Sequence, residues 1–187
     1  MSFPSLHASA VSLLSDWRPE DPAQESLRQS YLAYLDARPD AMERACGPGH
    51  LTASAVLVDA QGERTLLTLH PRIGRWVQLG GHCEAEDETL VEAALREARE
   101  ESGIDELTIE PIPLQLDVHP LTCSGGVPTR HLDVRFLVRA PADVVEKISD
   151  ESLDLRWFGF GALPGELDKS TRALISLAGE ASPQLAK

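Results

Sequence analysis

Hydrophobic residues recur along this chain with two different periods, and the points where the period changes divide it into elements. Apolar residues in Val11-Ser-Leu-Leu-Ser-Asp-Trp17, and then Leu27, Tyr31, Leu32 and Leu35 within Pro22 to Ala37, fall on helical faces. These spacings predict two helices. Pro39 and Gly47-Pro48-Gly49 then break the chain, so residues 1–47 read as a helical N-terminal extension and residues 48–187 as the main domain. The extension has two open roles, packing on that domain or bridging a homodimer.

Beyond the break the period shortens. Leu51 to Asp59 and Arg64 to His70 are apolar strand candidates joined by a turn at Gln61-Gly62-Glu63. A third, short strand carries Trp76 into Gly80-Gly81. Two longer strands, from about Leu107 to His119 and from about Thr129 to Ala140, are followed by a short one at Asp154 to Phe158 and a helix from about Asp168 to Leu177. Strands and helices mixed in this order predict an α/β fold.

Alternation along the two long strands separates two faces. Gln115, Asp117 and His119 share one face with His131, Asp133 and Arg135, while Leu116, Val118, Leu132, Val134 and Phe136 take the other. If helices cover both faces, a polar cluster of this kind requires partners or a wet cavity. His119, His131, Asp133 and Arg135 are therefore candidate substrate-pocket residues. Solvent-facing strand positions, or histidines hydrogen-bonded in the core, are the competing explanation.

Between the short strand and the long ones lies Glu88-Thr-Leu-Val-Glu-Ala-Ala-Leu-Arg96-Glu97-Ala-Arg-Glu100-Glu101-Ser-Gly103-Ile104. At about 100° per residue, Glu97, Glu100 and Glu101 form one acidic edge, next to an apolar stripe of Val91, Ala94, Leu95 and Ala98. Asp87 or Glu88 can open this helix and Gly103 can end it. An acidic helix is commonly no more than a solvated face. Here, however, a double glycine leads into it, and glycine lets the backbone turn tightly and bring a carbonyl close to an ion.

The segment resembles the signature box of the Nudix hydrolases, Gly-x5-Glu-x7-Arg-Glu-apolar-x-Glu-Glu-x-Gly-apolar. Glu88, Arg96, Glu97, Ala98, Glu100, Glu101, Gly103 and Ile104 occupy its slots, and His82 stands where the pattern has its first glycine. The resemblance implies a Nudix-type α/β/α sandwich with a mixed sheet. It implies that Glu97, Glu100, Glu101 and the Gly81 carbonyl hold metal, that Arg96 positions the carboxylates, and that Glu88 and Gly103 are structural. It also suggests a further acid in the loop before the Trp157 strand, for which Glu151 is the candidate, with Glu97 or Glu151 as the base. His82 becomes a candidate substrate contact. An all-oxygen ligand set suits Mg²⁺, or Mn²⁺, rather than zinc.

The implied reaction is metal-dependent cleavage of the diphosphate linkage in a nucleoside diphosphate joined to another moiety, by water attack at phosphorus. Two alternatives keep the fold: a non-catalytic nucleotide-sensing module, or an isomerase of isoprenoid diphosphates, for which Cys83 and Cys123 are worth noting. The box indicates the bond; residues outside it choose the substrate.

Composition narrows the partners. The 187 residues are 42% apolar, enough for one real core, and 30 acids against 17 bases leave a net charge of −13. That charge disfavours nucleic-acid backbones and anionic membranes as main partners and makes a phosphate substrate dependent on metal; the small-molecule diphosphate partner is what the resemblance implies. Cys46, Cys83 and Cys123 contain no Cys-x-x-Cys pair, so neither a disulfide framework nor a zinc site is indicated. No apolar run approaches the about 20 residues of a membrane span, and a cytoplasmic location is expected.

Overall fold

The computed structural model describes residues 2–122, 126, 128–150, 152–165 and 167–182. Its first helix, α1 (Phe3–Asp16), starts well before the Val11 that the apolar spacing suggested. Ser2 is the reason: it and Ser5 satisfy each other's backbone N–H groups, with Pro4 in the first turn. Leu6, Ala10 and Leu14 then form the buried stripe. Helix α2 (Pro22–Ala37) begins where expected, because Asp21 accepts the Ala23 N–H at 2.9 Å and Pro22 needs no donor there. The buried Arg28 joins the two helices by donating to the Leu14 carbonyl at 3.0 Å.

Strand β1 (His50–Val58) is the spine of the molecule, and every residue in it is buried. A turn at Gly62, whose φ of 70° suits glycine, leads into β2 (Arg64–His70). Then come β3 (Arg75–Val77) and β4 (Leu79–His82), helix α3 (Leu90–Ser102), β5 (Thr108–Ile109), β6 (Gln115–Thr122), β7 (Pro128–Arg139), β8 (Asp154–Gly159) and helix α4 (Lys169–Ala181). The single strand expected over residues 107–119 is two. Pro111 and Pro113 lie between β5 and β6 and cannot donate to a ladder, so the pairing with β7 is interrupted there.

The sheet is mixed. β1 runs parallel to β7, with His50 beside His131 and Ser54 beside Arg135, while the other pairings are antiparallel. Along its opposite edge β1 pairs with β4 over Thr52–Ala55 and then with β2 at Leu57–Val58, so it changes partner partway along. That change brings the glycine loop beside the start of β1.

Helices cover both faces, as the α/β/α expectation requires. Leu51, Ala53, Leu132, Val134 and Phe136 form one core with Leu90, Ala93 and Ala94 of α3 and with Leu6, Leu14, Tyr31 and Leu35 of the N-terminal helices. On the other face Val56, Val58 and Leu137 pack against Leu174, Ile175 and Ala178 of α4. Helices α1 and α2 thus pack on the sheet. Gln24 donates to the Leu116 carbonyl and accepts its N–H, at 3.0 and 2.6 Å, covering the exposed edge of β6. Tyr31 Oη donates to the Asp117 and Asp133 carbonyls at 2.7 and 3.1 Å.

Candidate active site

Helix α3 opens one residue later than Asp87 or Glu88: Thr89 is its N-cap and accepts the Glu92 N–H at 3.1 Å. A threonine hydroxyl meets that donor directly, which releases Asp87 for another role. Gly103 ends the helix in the left-handed conformation, φ 66° and ψ 20°. Glu88 is exposed, and its backbone N–H donates to Glu92.

Arg96 is the hub of the box. Its guanidinium donates to both carboxylate oxygens of the buried Asp87 (3.0 and 3.1 Å), to the His82 carbonyl (2.9 Å), to Glu97 (3.1 Å) and to Glu100 (3.2 Å). Burial works against this cation, but Asp87 and Glu97 outweigh it and hold the guanidinium more strongly protonated than usual. One arginine thereby fixes the glycine loop to the acidic edge. Asp87 was not foreseen as part of this hub; the sequence marks it only as an acid ahead of the helix.

Both glycines are required sterically. Gly80 has φ 139°, and a Cβ there would lie 2.5 Å from the Ser54 Cα; its N–H donates to Glu101 at 2.8 Å. At Gly81 a Cβ would meet both carboxylate oxygens of Glu97 at 2.7 Å. Glu97 and Glu101 therefore lean against the β4 backbone, while Glu100, whose side chain is 58% exposed, is held by Arg96. The donor set of Glu97, Glu100, Glu101 and the Gly81 carbonyl is entirely oxygen, and the Gly81 cradle keeps backbone and carboxylate adjacent. Those features fit a hard divalent cation such as Mg²⁺ or Mn²⁺. Glu151 lies outside the described residues.

On the opposite face of the sheet, the polar positions of β6 and β7 come together as alternation predicted: Gln115 beside Arg135, Asp117 beside Asp133, His119 beside His131. Asp133 is only 1% exposed and Arg135 2%. Arg135 donates to Asp133 (2.7 Å), Gln115 (2.9 Å), Asp117 (3.0 Å) and Ser170. Asp133 also accepts from Thr52 at 2.9 Å and Ser54 at 2.8 Å. The partners required for a buried polar cluster are thus largely supplied from β1 and from the start of α4. Burial would raise the Asp117 carboxyl, yet hydrogen bonds from His119 and Ser170 and the Arg135 charge bring it down to about 2.

At the open end of this face four imidazoles gather. His50, His82 and His131 have ring centroids 4.9 to 5.1 Å apart, and His119 lies 5.3 Å from His131 and 2.9 Å from an Asp117 oxygen. Burial lowers all three of the first group below the usual histidine range, His82 to about 4 and His131 to about 3, with neighbouring positive charge adding to the effect. They are neutral imidazoles near pH 7. His50, Thr52 and Ser54 escaped the sequence reading because β1 looked uniformly apolar. Their every-second-residue spacing in His-Leu-Thr-Ala-Ser-Ala was the available signal.

Comparison with known proteins agrees with this arrangement. Residues 48–177 match the family model for the NUDIX domain. The chain belongs to the Nudix hydrolase family. A stretch covering 49% of the chain is 36% identical to the m7GpppN-mRNA hydrolase NUDT17 of Xenopus laevis, and one covering 54% is 32% identical to the human NUDT17. These stretches span 33% and 32% of those relatives, about a third of their length. Among solved structures, a C. elegans Ap4A hydrolase aligns with TM-score 0.55 at 22% identity, over 73% of this chain and 97% of that one. The E. coli dihydroneopterin triphosphate pyrophosphohydrolase aligns with TM-score 0.53 at 25% identity, over 67% and 92%. Among the described residues, no helix is long and apolar enough to cross a membrane.

Proposed function

We propose that this chain is a metal-dependent hydrolase that cleaves the diphosphate linkage of a nucleoside diphosphate joined to another moiety, by attack of water at phosphorus. The observation that carries the proposal is the seating of Glu97 against Gly81, with Glu100 and Glu101 on the same helix edge and Arg96 bonded across to the loop. Glu97, Glu100, Glu101 and the Gly81 carbonyl would hold Mg²⁺ or Mn²⁺. When bound, such an ion neutralises diphosphate charge and makes water a better nucleophile.

The protein's own groups have separable tasks in this reading. Arg96 keeps Glu97 and Glu100 aimed at one point and stays cationic throughout. Glu97, or Glu151 in the loop before β8, accepts the proton of the attacking water. Gly103 and Glu88 bound the helix that carries the acids. His82, His119 and His131 meet the substrate at the open end of the polar face. Asp133 and Arg135 lie beneath them and would act by fixing the floor.

The curated relatives carry m7GpppN-mRNA hydrolase as their name, so a cap-like compound belongs in any substrate panel. A net charge of −13 favours a short ligand over a long RNA backbone. Cys83, the described cysteine noted for isomerase chemistry, sits in the core with its thiol pushed up to about 12 by burial and by Asp87, which suits neither a nucleophile nor an acid.

The test is a panel of ADP-ribose, dinucleoside polyphosphates, coenzyme A, oxidised nucleotides and cap dinucleotide, assayed with Mg²⁺ and with Mn²⁺, with products identified by phosphorus NMR. Glu100→Gln serves as the control. Metal-dependent release of a nucleoside monophosphate that is lost in the variant supports the reading. Equal turnover by both proteins overturns the metal site, and no turnover on any compound favours a sensing module.

A further inference from the structure

The hydrolase reading gives His82 and His131 a substrate contact but leaves unused the convergence of these two with His50, three histidines from β1, β4 and β7. His50 and His131 are direct neighbours across the parallel pair, and His82 is the partner of Thr52 on the other side of β1, so the three rings project from one sheet face at nearly one level. One ring nitrogen from each lies within 4.8 Å of the other two. His50 is 1% exposed, and among the described residues neither of its ring nitrogens has a hydrogen-bond partner; the Nε2 atoms of His82 and His131 are likewise buried and without a partner there. The Cys46 backbone lies near the His50 ring without satisfying either nitrogen. Buried polar atoms left this way are unfavourable by about 1–3 kcal/mol each in mutational comparisons. Here they converge on one point instead of being scattered.

We infer that His50, His82 and His131 form a binding site for one divalent transition-metal ion, separate from the carboxylate site on α3. With metal–nitrogen bonds of about 2.0–2.1 Å, tetrahedral ligand atoms sit roughly 3.3 Å apart, which small ring rotations reach from the observed spacing. Three imidazoles with no carboxylate or thiolate select Zn²⁺, Co²⁺, Ni²⁺ or Cu²⁺ over Mg²⁺. Three protein ligands leave a coordination position open toward the exposed side, where His119 stands 5.3 Å from His131. Arg44 and Arg72 oppose a cation electrostatically at His82, whereas Asp133 favours one at His131. The two sites lie on opposite faces of the sheet: the rings share the face of Thr52 and Ser54, and α3 packs against Ala53. This inference stands apart from the hydrolase reading. Should both hold, His82 and His131 meet the substrate through the open position.

The test uses the full chain, stripped with chelator and kept in excess Mg²⁺ to occupy the carboxylates. It is titrated with Co²⁺ for its visible ligand-field absorption and with Zn²⁺ for calorimetry. One equivalent is expected to bind, with the intense visible band of low-coordinate cobalt. Affinity should fall at least 100-fold in His82→Gln and His131→Gln and remain unchanged in Glu97→Gln. Nitrogen-15 spectra of the wild-type histidine rings, which need no variant to fold, should show three rings shifting on Zn²⁺ addition. Absence of saturable binding in excess Mg²⁺, loss of binding in Glu97→Gln, or a titration that leaves the three rings unmoved overturns the inference.

Discussion

The carboxylate of Glu97 occupies the space that a side chain on Gly81 would need, with both oxygens 2.7 Å from where a Cβ would stand. Gly81 has no positive φ, so alanine there is excluded by the carboxylate and not by the backbone. Gly81→Ala is expected to lower turnover about 10- to 100-fold, since a displacement of order 1 Å in a positioned group has effects of that size. Thermal stability should change far less. Steady-state kinetics over a range of Mg²⁺ concentrations checks this, and unchanged kinetics would separate Gly81 from the site.

Glu100 offers the cleanest separation of function from stability. It is largely exposed and accepts a hydrogen bond from Arg96 at 3.2 Å, so Glu100→Gln should shift stability by no more than about 0.5 kcal/mol. Its effect on metal-dependent turnover should be at least about 100-fold. Denaturant unfolding and the activity assay, run on the same preparation, measure the two quantities.

Asp87 predicts the opposite balance. It is buried and receives two bonds from Arg96 and one from the Glu84 N–H at 2.7 Å. Removing it leaves a partly buried guanidinium short of its main counter-charge. Asp87→Ala should destabilise the chain by about 2–3 kcal/mol and also weaken metal binding, because Arg96 would no longer be held. Urea unfolding with and without Mg²⁺ reads both effects.

Stability should depend on Asp117 at low pH, and the sign follows from its depressed carboxyl. That group titrates at about 2 in the folded chain against 3.8 ordinarily, so between those values the unfolded chain takes up a proton that the folded chain does not. Its contribution is complete above about pH 4 and is lost as pH falls toward 2. Asp117→Asn should cost about 1–2 kcal/mol at neutral pH and flatten the acid limb of the stability profile. A parallel slope in wild type and variant would remove Asp117 from the account.

Tyr31 tests whether the N-terminal helices belong to the same cooperative unit as the sheet. Its hydroxyl bonds the backbone of both β6 and β7 from inside the core. Tyr31→Phe should cost about 1–2 kcal/mol and leave a single unfolding transition. Two separate transitions by circular dichroism and tryptophan fluorescence would instead mark residues 1–47 as an independent unit.

Local signals were sufficient wherever neighbours in sequence decide the outcome. The box helix with its Gly103 stop, the β1–β2 hairpin and the polar alternation of β6 and β7 all follow from residues within a few positions of one another. They failed where a nearby alternative was stronger, as when Thr89 displaced Asp87 at the N-cap, Ser2 started α1 early, and two prolines divided one expected strand.

What this sequence determined by itself is the acidic edge of α3: the 3.6-residue period alone fixes the relation of Glu97, Glu100 and Glu101, and the box identifies the family. Only the tertiary structure decided that Asp87 is the counter-charge of Arg96, that Asp133 and Arg135 are buried with Thr52, Ser54 and Gln115, and that His50 joins His82 and His131. Those contacts join residues up to 81 positions apart. Thr52, Ser54 and His50 meet Asp133, Arg135 and His131 through the parallel pairing of β1 with β7, and His50 meets His82 through the change of partner along β1; no short-range period encodes either.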